Sequence, residues 1–388
     1  MANKLARFSN RDALDSIGKS ELLEFLEPHR AYLEGRDVML PKGPDAAVNL
    51  DKLSSVLMDP NEQTPQELSD ALYYVTEMAS AGTMDTLLDL AKAEQLELRL
   101  GPDPAPVDVA VRLWLKKPDE LKDIHNASYL ERVKSFISFA ADVDPIPAAT
   151  MPDAFGLAAM QEDLDAWFIE HKRGNRSKIF PYSRDDGHWF LIRHGETMKR
   201  EGTYNGGTEG NTFYRPMKHD VVIYDPDAGQ LRIHCGTLKE RELYRDVFGL
   251  HLFGKKDFFQ GDNLYTLQPI LDLGKDCLTC SKPAGVDKIN LTAVELSWPG
   301  EEWHRATYRA SDIFGLFERK HLGWPNIDRI ASATFSVLFT GQKKARTVTI
   351  QPSNKIKFQR IDDSPVLKTW MDQFIDKNAE EEDENPLE

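Results

Sequence analysis

Apolar residues recur at intervals of three or four through the first part of the chain. Leu68, Leu72 and Val75 follow this spacing, which places them on one face of a helix. Proline-rich segments such as 101–106 separate the periodic stretches, because each proline disfavours helix in the residue before it. The pattern predicts an all-helical domain over residues 1–172.

From about residue 177 the hydrophobic period changes to two, which is typical of strands. An Asp-Gly turn at 185–187 joins two alternating segments, and a turn at 225–229 joins the next two. A helix is predicted over 238–252, with Gly254 as its stop. Further strands are predicted near 264–271, 291–298, 331–339, 345–350 and 355–360, with closing helices at 311–319 and 364–375.

Hairpins with inserted helices are typical of an α+β domain. We therefore predict a multidomain α+β protein: an all-helical domain at 1–172, then a mostly antiparallel β-rich domain at 173–375. The acidic segment 376–388 is predicted to be a disordered tail.

Charge divides the chain in the same way. Residues 1–172 carry 17 basic and 31 acidic side chains, whereas residues 173–375 carry 30 basic and 25 acidic ones. The segment 376–388 adds one lysine and seven acids, so the formal net charge is −15. This asymmetry indicates that one domain alone contacts a polyanion or an acidic partner.

Composition excludes several classes of protein. Three cysteines among 388 residues cannot form a disulfide framework. The chain has no apolar run of the roughly 18 residues that a membrane helix needs, and its first ten residues lack the apolar core of a signal peptide. We expect a cytoplasmic protein without a membrane partner.

The segment Phe190-Leu191-Ile192-Arg193-His194-Gly195-Glu196-Thr197 resembles the LxRHGE signature of the histidine phosphatase family. The resemblance implies a doubly wound sheet, His194 as the phosphoryl-accepting nucleophile and Arg193 as the phosphate ligand. It also implies a later histidine and a carboxylate, for which His234 and Glu196 are the candidates.

The surroundings of this motif favour a different interpretation. His194 follows an Asp-Gly hairpin and precedes another hairpin, which is not the topology of a doubly wound sheet. On a strand it shares a face with Phe190 and Ile192, so the alternation predicts a hydrogen-bonded core histidine. No catalytic residue is therefore favoured.

Cys277 and Cys280 have the two-residue gap that allows two thiolates to bind one zinc ion. A structural zinc site needs four ligands, and the chain offers only Cys235 with a histidine such as His234 or His304 as the remainder. Ordinary loop thiols are the favoured interpretation, and no metal or other cofactor is predicted.

The stretch 342–360 contains six basic residues and no acidic one, so it carries a charge of +6. Phosphate backbones bind such surfaces through counterion release. A solvated sheet face or a lysine-protected edge is the alternative. The candidate partner-binding residues are Lys343, Lys344, Arg346, Lys355, Lys357 and Arg360.

Other catalytic motifs are absent from the sequence. The glycine-rich segment 202–211 lacks the order of a phosphate-binding loop and is predicted to be a flexible loop. A helical front followed by a β-rich part is similar to bacterial proteins encoded beside multicomponent systems such as phage defence. We therefore predict a non-catalytic interaction subunit of such a system, with protein partners in a complex and contact to a DNA or RNA backbone as a further interaction. The alternatives are a phosphoryl hydrolase using Arg193-His194-Gly195 and a sequence-independent nucleic-acid binder.

Overall fold

A computed structural model of the chain divides between Ser128 and Tyr129 into two compact units. Each unit is described by itself. The residues that the structure describes are 6–41, 48–61, 63–141, 143, 145–147, 149–205, 207–261, 263–279, 283–298, 304–322, 324 and 329–376.

The first unit contains helices and, among its described residues, no strand. The predicted apolar stripe of Leu68, Leu72 and Val75 is buried in its core. The last helix, α9, extends past the division at Ser128. The helices are α1 (Ala6–Ser9), α2 (Arg11–Asp15), α3 (Lys19–Leu26), α4 (Arg30–Gly35), α5 (Leu50–Met58), α6 (Gln66–Met78), α7 (Met84–Ala93), α8 (Pro106–Lys116) and α9 (Pro118–Arg132).

The second unit is built around one large sheet with helices inserted between its strands. Its strands are β1 (Ser135–Ala141), β2 (Lys178–Arg184), β3 (Gly187–Gly195), β4 (Lys199–Asn205), β5 (Thr208–Tyr214), β6 (Met217–Asp225), β7 (Gln230–His234), β8 (Phe259–Gln260), β9 (Val286–Trp298), β10 (His304–Arg309), β11 (Arg329–Phe339), β12 (Arg346–Gln351) and β13 (Lys355–Phe358). Its helices are α10 (Ala154–Glu170), α11 (Leu238–Phe253), α12 (Gln268–Asp272), α13 (Ile313–Lys320) and α14 (Ser364–Met371).

The large sheet has the strand order β10-β9-β11-β12-β13-β1-β7-β6-β3-β2, and β8 pairs with β1. Every pairing in it is antiparallel. A helical first part followed by an antiparallel sheet with inserted helices confirms the predicted α+β class. The predicted hairpins β2–β3 and β6–β7 form, and α11 ends at Gly254, whose φ of 74° is the left-handed conformation that glycine adopts at little cost.

The two faces of the sheet carry different cores. We call the face that contacts α10 and α11 the front face; its core includes Phe190, Val222 and Phe248. We call the opposite face the back face, which packs a larger core that includes Phe335 and Trp370. Over β11, β12 and β13 the front face is mostly polar and half-buried or exposed, as alternation with the back-face core requires.

Three sequence predictions differ from the structure. Ser135–Ala141 lies in the region predicted to be all-helical but forms a strand between β13 and β7. The predicted strand at 264–271 is wrong, because Gln268–Asp272 is helical and only Tyr265 makes isolated bridges. The predicted flexible loop 202–211 is wrong, because residues 202–205 of β4 pair with residues 208–211 of β5 in a two-stranded ribbon.

The acidic tail is predicted over residues 376–388. Of these residues, only Asp376 is among those that the structure describes. None of the described helices is long and apolar enough to cross a lipid bilayer.

Candidate functional site

His194 lies in the interior of the second unit, on the front face of β3. It shares this face with Phe190 and Ile192, as the alternation of the strand predicts. Its side chain is 1% exposed. Phe168 of α10 stacks on the imidazole, with the two ring centroids 4.4 Å apart. The helix therefore screens this histidine from solvent.

Four charged side chains surround this imidazole, and together with His194 we call them the buried ion network. Lys218 Nζ lies 3.0 Å from Glu240 Oε1 and 3.3 Å from Asp220 Oδ1. Arg173, just after α10, also pairs with Glu240. His194 Nε2 lies 3.0 Å from Asp220 Oδ2. The front face thus holds two buried carboxylates that are neutralised by two cations.

Both ring nitrogens of His194 face oxygen atoms. Nδ1 lies 2.9 Å from the carbonyl oxygen of Gly195, which can only accept, so Nδ1 donates. Asp220 Oδ2 also accepts a hydrogen bond from Tyr244 at 2.8 Å. His194 Nε2 lies 3.0 Å from the same carboxylate oxygen. Each side of the imidazole is therefore committed to an internal hydrogen bond.

The pKa values of the network follow from its ion pairs. Burial alone would raise the pKa of Glu240, but Lys218 and Arg173 lower it to about 2. Burial would lower the pKa of Lys218, but Asp220 and Glu240 raise it above its ordinary value. Burial, with the negative charge of Asp220, raises the pKa of Tyr244 well above its usual range. All of these directions preserve the ion pairs at neutral pH.

His194, Asp220 and Glu240 could together offer metal ligands, since one donor atom from each lies within 4.8 Å of the others. The donor set does not fit a bound divalent ion. Lys218 already bridges both carboxylates, and Arg173 binds Glu240. A metal ion would have to displace the ammonium group and leave it unpaired near the same oxygens. We therefore describe these residues as an ion network.

The residues that the phosphatase resemblance implies are not brought together. Arg193 and His234 project from the back face, whereas His194 projects from the front face. His234 Nδ1 bonds to the carbonyl oxygen of Ser135 at 2.8 Å. Glu196 follows the end of β3. The neighbouring strands are antiparallel, unlike those of the implied doubly wound sheet.

The thiols do not assemble a zinc site among the described residues. Cys277 is fully buried, and its carbonyl oxygen accepts a hydrogen bond from Trp370 Nε1 at 2.9 Å. Cys280 lies outside the described residues. Burial, followed by the neighbouring carboxylates, raises the pKa of Cys235 to about 12. That thiol is therefore a poor source of thiolate at neutral pH.

The six predicted basic residues are spread along the β12–β13 hairpin and the segments that flank it: Lys343, Lys344, Arg346, Lys355, Lys357 and Arg360. Arg346 is at one end, where it pairs with Asp363 and lies over the ring of Phe339. Lys355 is at the other end, opposite Gln351. About 17 Å of strand separates the two ends.

Lys355 instead belongs to a groove of about 560 Å³ beside the hairpin turn, which we call the basic groove. Its cationic residues come from four different elements: Arg241 on α11, Arg305 on β10, Arg329 on β11 and Lys355 on β13. None of its described lining residues carries a carboxylate. The remaining lining residues are Ile137, Leu238, Ala331, Gln351, Pro352, Ser353 and Asn354.

The register of the sheet aligns two of these arginines. Ser297 of β9 pairs with Arg305 on one side and with Arg329 on the other, so the three side chains share the front face. The Cα atoms of the two arginines are therefore about 10 Å apart, two strand spacings. Glu295 pairs with Arg305 at 2.6 Å and offsets one of the four positive charges. The groove retains a net charge of about +3.

A bulge in β11 turns Arg329 toward the basic groove. The register between β11 and β9 shifts between Ile330 and Ser332, with Ala331 as the extra residue. Ile330 is buried in the back-face core, and so Arg329 faces the front. Without the extra residue, strict alternation from Ala333 would put Arg329 on the back face.

Sequence reasoning found only Lys355 among the groove cations. Arg241, Arg305 and Arg329 lie far apart in the chain, and none of them belongs to the basic stretch 342–360. The only local signal is that Arg329 stands at the start of a segment in which apolar and polar residues alternate, which indicates a strand. That signal does not reveal which strands become neighbours.

Neither a protein-family model nor a curated protein matches this chain. The function is therefore inferred from the geometry of the second unit.

Proposed function

We propose that the protein binds the phosphate backbone of nucleic acid in the basic groove, without reading base sequence, and serves as a non-catalytic interaction subunit. One observation carries this proposal: Arg241, Arg305, Arg329 and Lys355 line one concave surface in which no described lining residue is acidic. Guanidinium and ammonium groups are the side chains that contact phosphate oxygens most often.

The lining of the groove favours backbone contact over base contact. None of the described lining residues is aromatic, so the groove offers no platform on which bases could stack. Two of its uncharged polar residues, Gln351 and Ser353, can donate hydrogen bonds to phosphate or sugar oxygens. We therefore expect similar affinity for different sequences.

The surroundings of His194 support a non-catalytic role over phosphoryl transfer. A nucleophilic imidazole needs a free nitrogen that faces a substrate. Here Nδ1 is bonded to Gly195 and Nε2 to Asp220, and Phe168 covers the ring. Arg193, which would bind the phosphoryl group, projects from the other face of the sheet.

A titration of a fluorescently labelled DNA duplex against the full chain tests the proposal. Because the groove has about three uncompensated charges, we expect the logarithm of the association constant to fall with the logarithm of salt concentration with a slope of about −2 to −3. Fluorescence anisotropy at several salt concentrations measures this slope, and a second duplex of unrelated sequence should give the same curve. Absence of binding at low salt, or affinity that salt does not change, would contradict the proposal.

A further inference from the structure

A second, smaller cavity in the same unit is also rich in arginine. It measures about 240 Å³ and is formed by 173–176 after α10, by 193–195 at the end of β3 and by 215–217 at the start of β6. We call it the arginine cavity. Four arginines line it, and none of its described lining residues is acidic: Arg173, Arg176, Arg193 and Arg215.

Three of these arginines have no carboxylate partner among the described residues. Arg173 is the exception, because it pairs with Glu240. Arg215 donates to backbone carbonyl oxygens, one of them at 2.6 Å on Glu196, and these bonds leave its charge uncompensated. Arg193 lies over the ring of Phe180, 5.1 Å from its centroid.

His219 lies beside Arg193 but adds no positive charge to the cavity. His219 pairs directly with Arg193 across β3 and β6. Burial, followed by the positive charge of Arg193, lowers the pKa of His219 to about 4, so this imidazole does not add a proton at neutral pH. The uncompensated positive charges of Arg176 and Arg215 remain at this site, and they favour a bound anion.

Close packing fixes the walls of the cavity. A Cβ atom at Gly195 would lie 2.4 Å from Cδ of Arg215 and 2.5 Å from the carbonyl oxygen of Arg173. The three segments can therefore meet only because residue 195 has no side chain. A volume of about 240 Å³ holds a tetrahedral oxyanion with several waters, since one water occupies about 30 Å³.

We propose that the arginine cavity binds a phosphate group. Guanidinium forks match the geometry of phosphate oxygens and are weakly hydrated, which makes arginine the preferred residue for such a ligand. The group can belong to a small phosphorylated molecule or to the terminal phosphate of a nucleic-acid strand. Only the second source rests on the function proposed above.

The first experiment titrates inorganic phosphate into the full chain at constant ionic strength and follows the ³¹P line width. We expect saturable binding at millimolar concentrations or below. The variant Arg176→Glu should weaken it about tenfold or more, the loss expected from one charge-assisted hydrogen bond. Arg176 is exposed and without a carboxylate partner among the described residues, so this variant should fold.

A matched variant controls for the general loss of positive charge. Arg200→Glu changes an equally exposed arginine on β4, outside the lining of the cavity, and should bind phosphate as the wild type does. If Arg176→Glu melts at a lower temperature, Arg176→Ala replaces it. No saturable binding by the wild type, or equal binding by the Arg176 and Arg200 variants, would overturn the proposal.

The second experiment separates the two sources of phosphate. A 5′-phosphorylated oligonucleotide is compared with the same oligonucleotide carrying a 5′-hydroxyl group. Tighter binding of the phosphorylated strand, lost in Arg176→Glu, assigns the cavity to strand ends. Equal binding of both strands, with phosphate binding retained, assigns it to a small molecule. If no oligonucleotide binds, the proposed function fails while the phosphate titration still decides the cavity.

Discussion

Replacing Glu240 by glutamine is expected to lower the free energy of unfolding by about 3 kcal/mol. Glu240 is fully buried and balances Lys218 and Arg173. A neutral amide of the same shape would leave both cations without this counter-charge, and its own NH₂ group would face two donors. Urea denaturation followed by circular dichroism measures the loss.

The matched control is Glu242→Gln, an exposed glutamate two residues along the same helix. We expect this control to change stability by less than about 0.5 kcal/mol. Equal stability of the Glu240 and Glu242 variants would show that the buried ion network does not stabilise the fold as described.

Glu240 should also make the stability of the protein depend on pH in the acid range. Because its pKa is about 2 in the folded protein and 4.5 in the unfolded reference, its contribution is present above pH 4.5 and is lost as the pH falls toward 2. The wild type should therefore lose stability more steeply than Glu240→Gln across this window. If the free energy of unfolding changed with pH in the same way for both proteins, the assigned ion pairs of Glu240 would be contradicted.

Reversing two charges in the basic groove is expected to weaken nucleic-acid binding about 10- to 100-fold. The double variant Arg329→Glu with Lys355→Glu reverses two of the four positive charges that line the groove. Each lost phosphate contact should also make the salt slope shallower by about 1. Fluorescence anisotropy with the labelled duplex measures both quantities.

The hairpin offers a control with the same change in charge. Lys343→Glu with Lys344→Glu alters exposed lysines at the opposite end of β12, outside the groove lining. This double variant should retain affinity within about threefold, the effect expected of distant charges in salt. Equal losses in both double variants would mean that overall charge, and not the groove, governs binding.

Local features of the fold could be predicted from the sequence because their causes are local. The Asp-Gly turn at 185–187 fixes one hairpin, and Gly254 ends α11. The face of His194 also follows from alternation alone along β3. In contrast, the strand Ser135–Ala141 lies between two other strands, and apolar cores cover both of its faces. Such a strand does not show the alternation of polar and apolar residues by which strands are recognised in a sequence.

The candidate site depends on long-range pairing, which one sequence does not reveal. The basic stretch 342–360 is continuous in the chain, but the antiparallel hairpin places Lys355 at its turn and Lys343, Lys344 and Arg360 beside its open end. Conversely, Arg305 and Arg329 meet on either side of Ser297 only because β9 lies between β10 and β11. A single inserted residue, Ala331, then decides the face of Arg329.

Lysine labelling with and without DNA shows which part of the second unit the duplex covers. The full chain is acetylated briefly in the presence and absence of a saturating duplex, and mass spectrometry of its peptides gives the labelling rate of each lysine. If DNA binds in the basic groove, the duplex should slow the labelling of Lys355 several-fold and leave the labelling of Lys343 and Lys344 unchanged. Protection of Lys343 and Lys344 with Lys355 unaffected would contradict binding in that groove.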